Sequence, residues 1–554
     1  MTAIVTPPPT VTPPDAPRSL GAQAGRAAFW NTALLPAKLG SHLAAQLVLA
    51  NTLPPAAYGV YVLALAVSST SGAFVDLGTE RSVVKFLPEV AGREGKRGVG
   101  KLIGWVFGLK MVILGPVLVT AVFLHNTFFR YLDSRVPADA PTVAEIVTRE
   151  HWTIFGAVIA FVLIGAFYDV AMQSLVATFR NRSWNLVQIS VQVIEPTVIV
   201  AIVLLGGSIV QILMGRVVVE LFALVGAAIV AIIAVRRAPH EERATVTKEE
   251  RGVPMPARRF AQYSFLQYAL QVAAFAQSYA FASIILRNSV EIAGYRVAAG
   301  SVSAVLPALL VPITGMQVPL FTRLFSRRDE AGLATAYAMI ARFLALVLVP
   351  GMAGMALLVP NLFKLLYPQY VAVAPICVIL VVLGFTESLF TTGTTAMLTF
   401  ERYRPVILKS LISLCAIPTL FYTVPTFGPI GAAITSGSFA VTAALFGTVM
   451  SNRLLPIRYP VAFLGRVALA TLPMALLVGV LANTVGRVPD DVRGVAARLP
   501  YLAVTGVIAL LGALVFVVAF RLLGGMDRSD VERLRTVRIP LVGLAVRLLA
   551  GRSA

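Results

Sequence analysis

The sequence predicts an all-α polytopic membrane protein of about 14 transmembrane helices, and three observations carry that expectation. Of its 554 residues, 58% are apolar and only 13% charged, and the mean hydropathy is +0.83. A soluble protein has no way to keep so much apolar surface from water. The apolar residues also come in unbroken runs of membrane-spanning length, about 20 residues. Such runs exclude a membrane β-barrel, whose strands alternate apolar and polar positions. Finally, the polar segments between runs are short, the longest outer one lying at about 125–151, so no separate catalytic domain fits. Disordered chains and disulfide-stapled secreted scaffolds are excluded by the same composition, and Cys377 and Cys415 both fall within apolar runs.

In chain order, residues 1–25 are Pro-rich and lack a signal-peptide apolar region, which predicts a disordered cytoplasmic tail. Spans are expected at 27–50, 57–76, 102–124, 152–176, 185–206, 209–235, 260–286, 294–320, 336–359, 372–398, 408–425, 429–450, 461–483 and 501–520. Lys and Arg divide about four to one in favour of the segments on one side, which places both termini in the cytoplasm. The net charge of +20 is read the same way, as basic loops facing anionic lipid headgroups and not as a nucleic-acid surface. After Arg521 basic and apolar residues alternate around Pro540, predicting a cytoplasmic amphipathic tail over 523–554.

A basic loop at 236–259 divides the chain into two halves that resemble one another. At an offset of 235 residues, Gly59, Val62, Ala64, Val67 and Ser68 overlie Gly294, Val297, Ala299, Val302 and Ser303. Span two then corresponds to span eight, and the halves keep the same orientation in the membrane. The expected organisation is a six-helix bundle at 26–235 and another at 260–452, pseudo-symmetric around a central cavity, followed by two further helices at 453–522.

Polar groups inside spans point to function, because an ionisable group at mid-bilayer needs protein, water or a partner charge. In span one, Asn31, Lys38, His42 and Gln46 recur at helical spacing and share one face. Ser264, Gln267, Gln271 and Ser278 repeat the pattern in span seven without charge; uncharged amides, at Gln267 and Gln271 as at Asn31 and Gln46 of span one, suit sugar hydroxyls, and they equally join helices. Lys38 is too deep to snorkel, which makes it the first choice for meeting a substrate anion, with His42 beside it. Arg296 is second, on the repeat copy of span two, although it lies within a turn of the expected outer face, where snorkelling to the interface is the alternative. Lys110 is also deep, whereas Arg216 and Glu220, four residues apart, neutralise one another. The acidic residues Glu195, Asp169 and Glu387 are the candidates for binding a coupling H⁺ or Na⁺. No phosphate-cradling Gly-rich loop, H-E-x-x-H or Cys/His cluster occurs, so neither an ATP engine, a metal enzyme nor any other cofactor is indicated.

Residues 43–89 pair a Tyr58-Gly59 turn leading into span two with a Leu77-Gly78 pair ending it before a basic loop. The back half has Pro319 and a basic inner loop, then Pro350-Gly351, the turn Leu365 to Tyr370 (LLYPQY), and TFGPIGAAITSG at 426–437. In order and spacing, over about 25–520, these motifs resemble Wzx-type oligosaccharide flippases of the multidrug/oligosaccharidyl-lipid/polysaccharide exporter superfamily. The resemblance implies two six-helix bundles around a central cavity. It further implies a non-enzymatic function in a bacterial inner membrane, moving undecaprenyl-diphosphate-linked oligosaccharide from the cytoplasmic to the periplasmic leaflet by alternating access. Polysaccharide polymerase and export machinery are the implied partners. Lipid II flippases and ion-coupled exporters share the implied fold. The competing class is a membrane glycosyltransferase or polymerase, which calls for a sizeable outer loop that this chain lacks.

Overall fold

The computed structural model describes residues 35–178, 180–242, 257–326, 329–400, 402–489, 492 and 494–526. Among them the regular structure is helical, without a strand. The expected tail at 1–25 lies outside the described residues, as do 243–256 of the inter-half loop and the C-terminal tail beyond Met526.

The front half begins with α1 (Leu35–Thr52) and α2 (Pro55–Val75). Pro55 opens α2 at a position where no backbone donor is needed. The chain then reverses through Leu77 and Gly78, both left-handed with φ of +51° and +68°, into α3 (Thr79–Phe123). The segment expected as an inner loop at 77–101 is therefore largely helical, broken at Gly95 with φ +68° and ψ −150°. Two short helices follow, α4 (His125–Asp133) and α5 (Pro141–Arg149), and then the long α6 (His151–Ala177), α7 (Asn181–Leu204) and α8 (Ile209–Glu242).

In the back half, α9 (Ala257–Phe275) and α10 (Tyr279–Ile285) meet at a bend of 59°. Ser278 caps α10 by accepting a hydrogen bond from the Phe281 amide at 3.2 Å. There follow α11 (Ser289–Ser326), α12 (Glu330–Leu366), a short 3₁₀ turn (Pro368–Val373), α13 (Ala374–Leu389), α14 (Thr392–Thr399), α15 (Tyr403–Leu414) and α16 (Ala416–Leu454). The chain's last two described helices are α17 (Val461–Asn483) and α18 (Val495–Leu522).

Among the described residues, 10 helices are long and apolar enough to cross a membrane, or 11 with the bent pair counted as one span. Expected span one begins at 27, outside the described residues, and its described part, α1, carries Lys38, His42, Gln46 and Asn51 within 18 residues, which lowers its hydropathy. Expected spans eleven and twelve count together as Tyr403–Leu454, although Gly428, at φ +58° and ψ −141°, is non-helical and kinks the stretch between them. The α11 helix, which contains expected span eight, includes side chains outside those described and is not in that count.

One hydrophobic core runs through both halves, from Leu63 of α2 through Ile292 and Tyr295 of α11 to Phe385 of α13. Outward-facing apolar side chains such as Phe222, Phe265, Leu476 and Leu510 remain exposed. On a soluble protein they would drive aggregation; a bilayer covers them.

Candidate functional site

The halves meet where α2 packs along α11, the two helices that carry the internal repeat. Their first turns touch backbone to backbone: a Cβ on Gly59 would stand 1.8 Å from the Ser289 carbonyl oxygen. Ser289 donates its amide to Arg135 O at 2.7 Å, and Tyr131 donates to Ile284 O at 2.6 Å, so α4 and the residues just after it grip the end of α10 and the start of α11. On α1, Asn51 donates to Leu366 O at 2.8 Å. At the other end of α2, the Leu77-Gly78 turn presses on α9, where a Gly78 Cβ would meet Ser264 O at 2.2 Å. Ser82 and Ser264 share a hydrogen bond of 2.7 Å, and Arg259 pairs with Glu89 at 2.9 Å.

Between these two closures lie two charged groups of residues. The first gathers His42 of α1, Tyr58 and Tyr61 of α2, Glu195 of α7, Arg216 and Glu220 of α8, and Arg296 of α11. Arg296, Glu195 and Arg216 are all near enough to His42 to act on it electrostatically. The two arginines differ in their partners. Arg216 Nε lies 3.0 Å from both Glu195 and Glu220 and its guanidinium reaches the Tyr61 hydroxyl at 3.4 Å, so its charge is consumed locally. Arg296 is half-buried, stacks over the Tyr279 ring at 4.4 Å, and has no carboxylate in ion-pair range among the described residues. The expected self-neutralisation of Arg216 and Glu220 is present, with Glu195 as a third member; Glu195, a coupling candidate from the sequence, is thereby an ion-pair partner.

The second group lines a cavity of about 420 Å³ between α2, α3 and α6 of the front half and α9 of the back half. Asp76, Glu80, Lys110, Asp169 and Gln271 contribute its polar wall. Lys110 is 1% exposed and pairs with Glu80 at 3.3 Å and Asp76 at 3.6 Å. Two residues chosen from the sequence, Asp169 and Gln271, thus come together here. On the far side of the same turn, Leu77 lines an apolar groove of about 510 Å³ with Trp105, Phe260 and Tyr268.

The remaining sequence candidates are placed as follows. Asn31 lies outside the described residues; Lys38 is in α1, and its side chain is likewise outside them. Gln46 is buried and donates to Val297 O at 3.1 Å, tying α1 to α11. Gln267 is buried with its Cβ against Gly78. Both amides therefore sit at helix joints. Glu387 lies apart, near Lys409 of α15, whose ammonium donates to Thr394 at 3.3 Å. Sequence reasoning missed Asp76 as a member of a charged group and left Glu80 in a basic loop. The signal was Lys110: a mid-span lysine requires a counterion, and the turn from α2 into α3 offers two carboxylates four residues apart, Asp76 and Glu80.

Residues 45–325, half of the chain, match the family described as polysaccharide biosynthesis protein. No curated protein matches the chain. Among solved structures, the lipid II flippase MurJ in an inward closed conformation aligns with a TM-score of 0.56 and 14% identity, over 89% of this chain and 98% of that one. An inward-facing multidrug resistance MATE family transporter of the MOP superfamily gives 0.47 and 14%, over 77% and 94%. A MOP superfamily transporter from Pyrococcus furiosus gives 0.46 and 15%, over 78% and 95%. At these identities the likeness is one of fold. A multi-pass helical membrane protein with the fold of MurJ, this chain belongs to the polysaccharide biosynthesis protein family.

Proposed function

We propose that this protein is a flippase that carries undecaprenyl-diphosphate-linked oligosaccharide from the cytoplasmic to the periplasmic leaflet of a bacterial inner membrane. The observation that carries the reading is Arg296, a cation between the two halves with no carboxylate partner among the described residues. A diphosphate cannot cross hydrocarbon unpaired; a guanidinium in a wet cleft offsets part of its desolvation and offers two parallel hydrogen bonds. His42 is near enough to Arg296 to feel its charge, and Lys38 precedes His42 by one helical turn on the same face of α1. The polyprenyl tail stays in lipid while the halves rock about the junction, breaking in turn the contacts at Gly59 and those at Gly78. Membership in a polysaccharide biosynthesis family supports a glycan headgroup, and the lipid II flippase fold supports a lipid-linked one. Both termini are cytoplasmic in this reading. Binding of H⁺ or Na⁺ at Asp169, Glu195 or Glu387 drives the cycle, polymerase and export machinery receive the product, and the protein performs no covalent chemistry.

The test is the fate of the substrate in cells lacking the protein. Lipid-linked oligosaccharide should accumulate on the inner leaflet and clear when the gene is restored. Normal surface polysaccharide with no such accumulation would contradict the assignment and favour a small-molecule exporter.

A further inference from the structure

The cavity wall carries an imbalance of charge. Lys110 faces two carboxylates, Glu80 at 3.3 Å and Asp76 at 3.6 Å. Asp76 is 4% exposed, and neither of its carboxylate oxygens receives a hydrogen bond. With both acids ionised, one negative charge would remain uncompensated beside a buried acceptor that has no donor, and each condition is unfavourable. A single proton removes both. Glu80 and Asp76 are within hydrogen-bonding reach of one another, so a protonated Glu80 donates to Asp76, and Asp76 with Lys110 forms a neutral pair. A metal ion is a poorer fit, since among the described residues no three carboxylate, histidine or cysteine groups converge as ligands.

The surroundings supply a route for that proton. Asp169 of α6 is exposed on the cavity surface and acts electrostatically on Glu80. From α8, Glu220 acts on Asp169 and on Tyr168, and α9 contributes the uncharged Gln271. Glu220 also holds Arg216, which with Glu195 and Arg296 surrounds His42. The two charged groups of the junction are therefore joined through Glu220.

We propose that Asp76, Glu80 and Lys110 form a buried proton-binding triad, loaded through Asp169, whose charge state is transmitted through Glu220 and Arg216 to the anion site at Arg296. Loss of the proton adds negative charge to the front half and disfavours an anion there; by reciprocity, a bound diphosphate retains the proton. The transmission rests on the proposed substrate, whereas the triad does not.

Infrared titration of the full chain in lipid tests both. Wild type should show a carboxylic-acid carbonyl band that disappears as pH rises, and Glu80→Gln should abolish it. Glu80→Gln is a fair variant because its amide still donates to Asp76, so folding, checked by thermal melting, should persist. Lys110→Met should hold the band to higher pH, since both acids then lack their cation. An identical band and midpoint in wild type, Glu80→Gln and Asp76→Asn would overturn the triad. Adding farnesyl diphosphate should raise the wild-type midpoint by about one pH unit. Farnesyl diphosphate that binds, by tryptophan fluorescence, without moving the midpoint would overturn the transmission. Failure to bind at all would count against the substrate reading and leave the triad standing on its own titration.

Discussion

Substituting Gly59 with alanine should open the junction where α2 and α11 begin. A Cβ there would lie 1.8 Å from Ser289 O, 2.4 Å from its carbonyl carbon and 2.7 Å from its Cα. These are backbone atoms at the start of a long helix, and none can swing aside. Restoring an ordinary contact of 3.4 Å requires α2 and α11 to part by about 1.6 Å. That movement also stretches the 2.7 Å bond from the Ser289 amide to Arg135 O. Forcing a methyl into such a contact costs about 1–3 kcal/mol, which displaces a two-state equilibrium by about 5–150-fold. The readout is thiol labelling at Ser283→Cys, a fully buried position on α10, in a background with Cys377 and Cys415 replaced by serine. The cysteine should be silent in the parent and react several-fold faster in Gly59→Ala. Gly72→Ala is the control: it lies in the same helix with nothing within 4 Å of the new Cβ, and gains roughly 0.5–1 kcal/mol of helix propensity. Equal labelling in Gly59→Ala and Gly72→Ala would refute the claim that the Gly59 contact holds this end of the junction shut.

Three further outcomes follow from the same geometry. Arg216→Gln leaves Glu195 and Glu220 facing one another and should lower stability by about 3 kcal/mol, seen as a reduced melting temperature. Adding Glu195→Gln should restore part of it, and no restoration would contradict the three-member pairing. Lys110→Met should cost about 3–5 kcal/mol, and the double variant with Asp76→Asn should melt well above the single one; equal melting would show that the ammonium is not held by Asp76. Gln46→Leu removes one hydrogen bond to Val297, worth about 1 kcal/mol. It should leave translocation largely intact, because the amide is engaged at a helix joint; a severe transport loss without loss of stability would return Gln46 to the glycan site.

The spans were legible because a bilayer imposes one length and one composition on every crossing helix, and runs such as Val461–Asn483 leave no competing interpretation. What the sequence obscured were the places where helices continue through polar residues or turn on a single glycine. The segment at 77–101 looked like a loop because it is rich in Lys and Arg, yet those residues suit a surface helix equally well. The outer segment at 125–151 contains α4 and α5, too short and polar for periodicity to distinguish from turns. In the site, spacing within one helix was readable: Arg216 and Glu220 are four apart and do pair. Partners on different helices were not, because no spacing rule places Glu195 beside Arg216 or Asp76 beside Lys110; those contacts exist only once α2, α3, α7 and α8 have packed. The stripe of Gln267 and Gln271 shows the same limit, since one residue faces the Gly78 turn and the other, a turn later, lines the cavity.

The central claim is that a cation at the junction of the halves meets the diphosphate. Translocation of a fluorescent polyprenyl-diphosphate-linked sugar in reconstituted vesicles, compared for wild type, Arg296→Ala and Arg296→Lys, tests it most directly. The account expects Arg296→Ala to lose about 1.5–3 kcal/mol of charge-assisted binding, a rate loss of roughly tenfold or more at subsaturating substrate, with Arg296→Lys retaining an intermediate rate. Wild-type rates in both variants, at equal reconstitution and melting temperature, would contradict it.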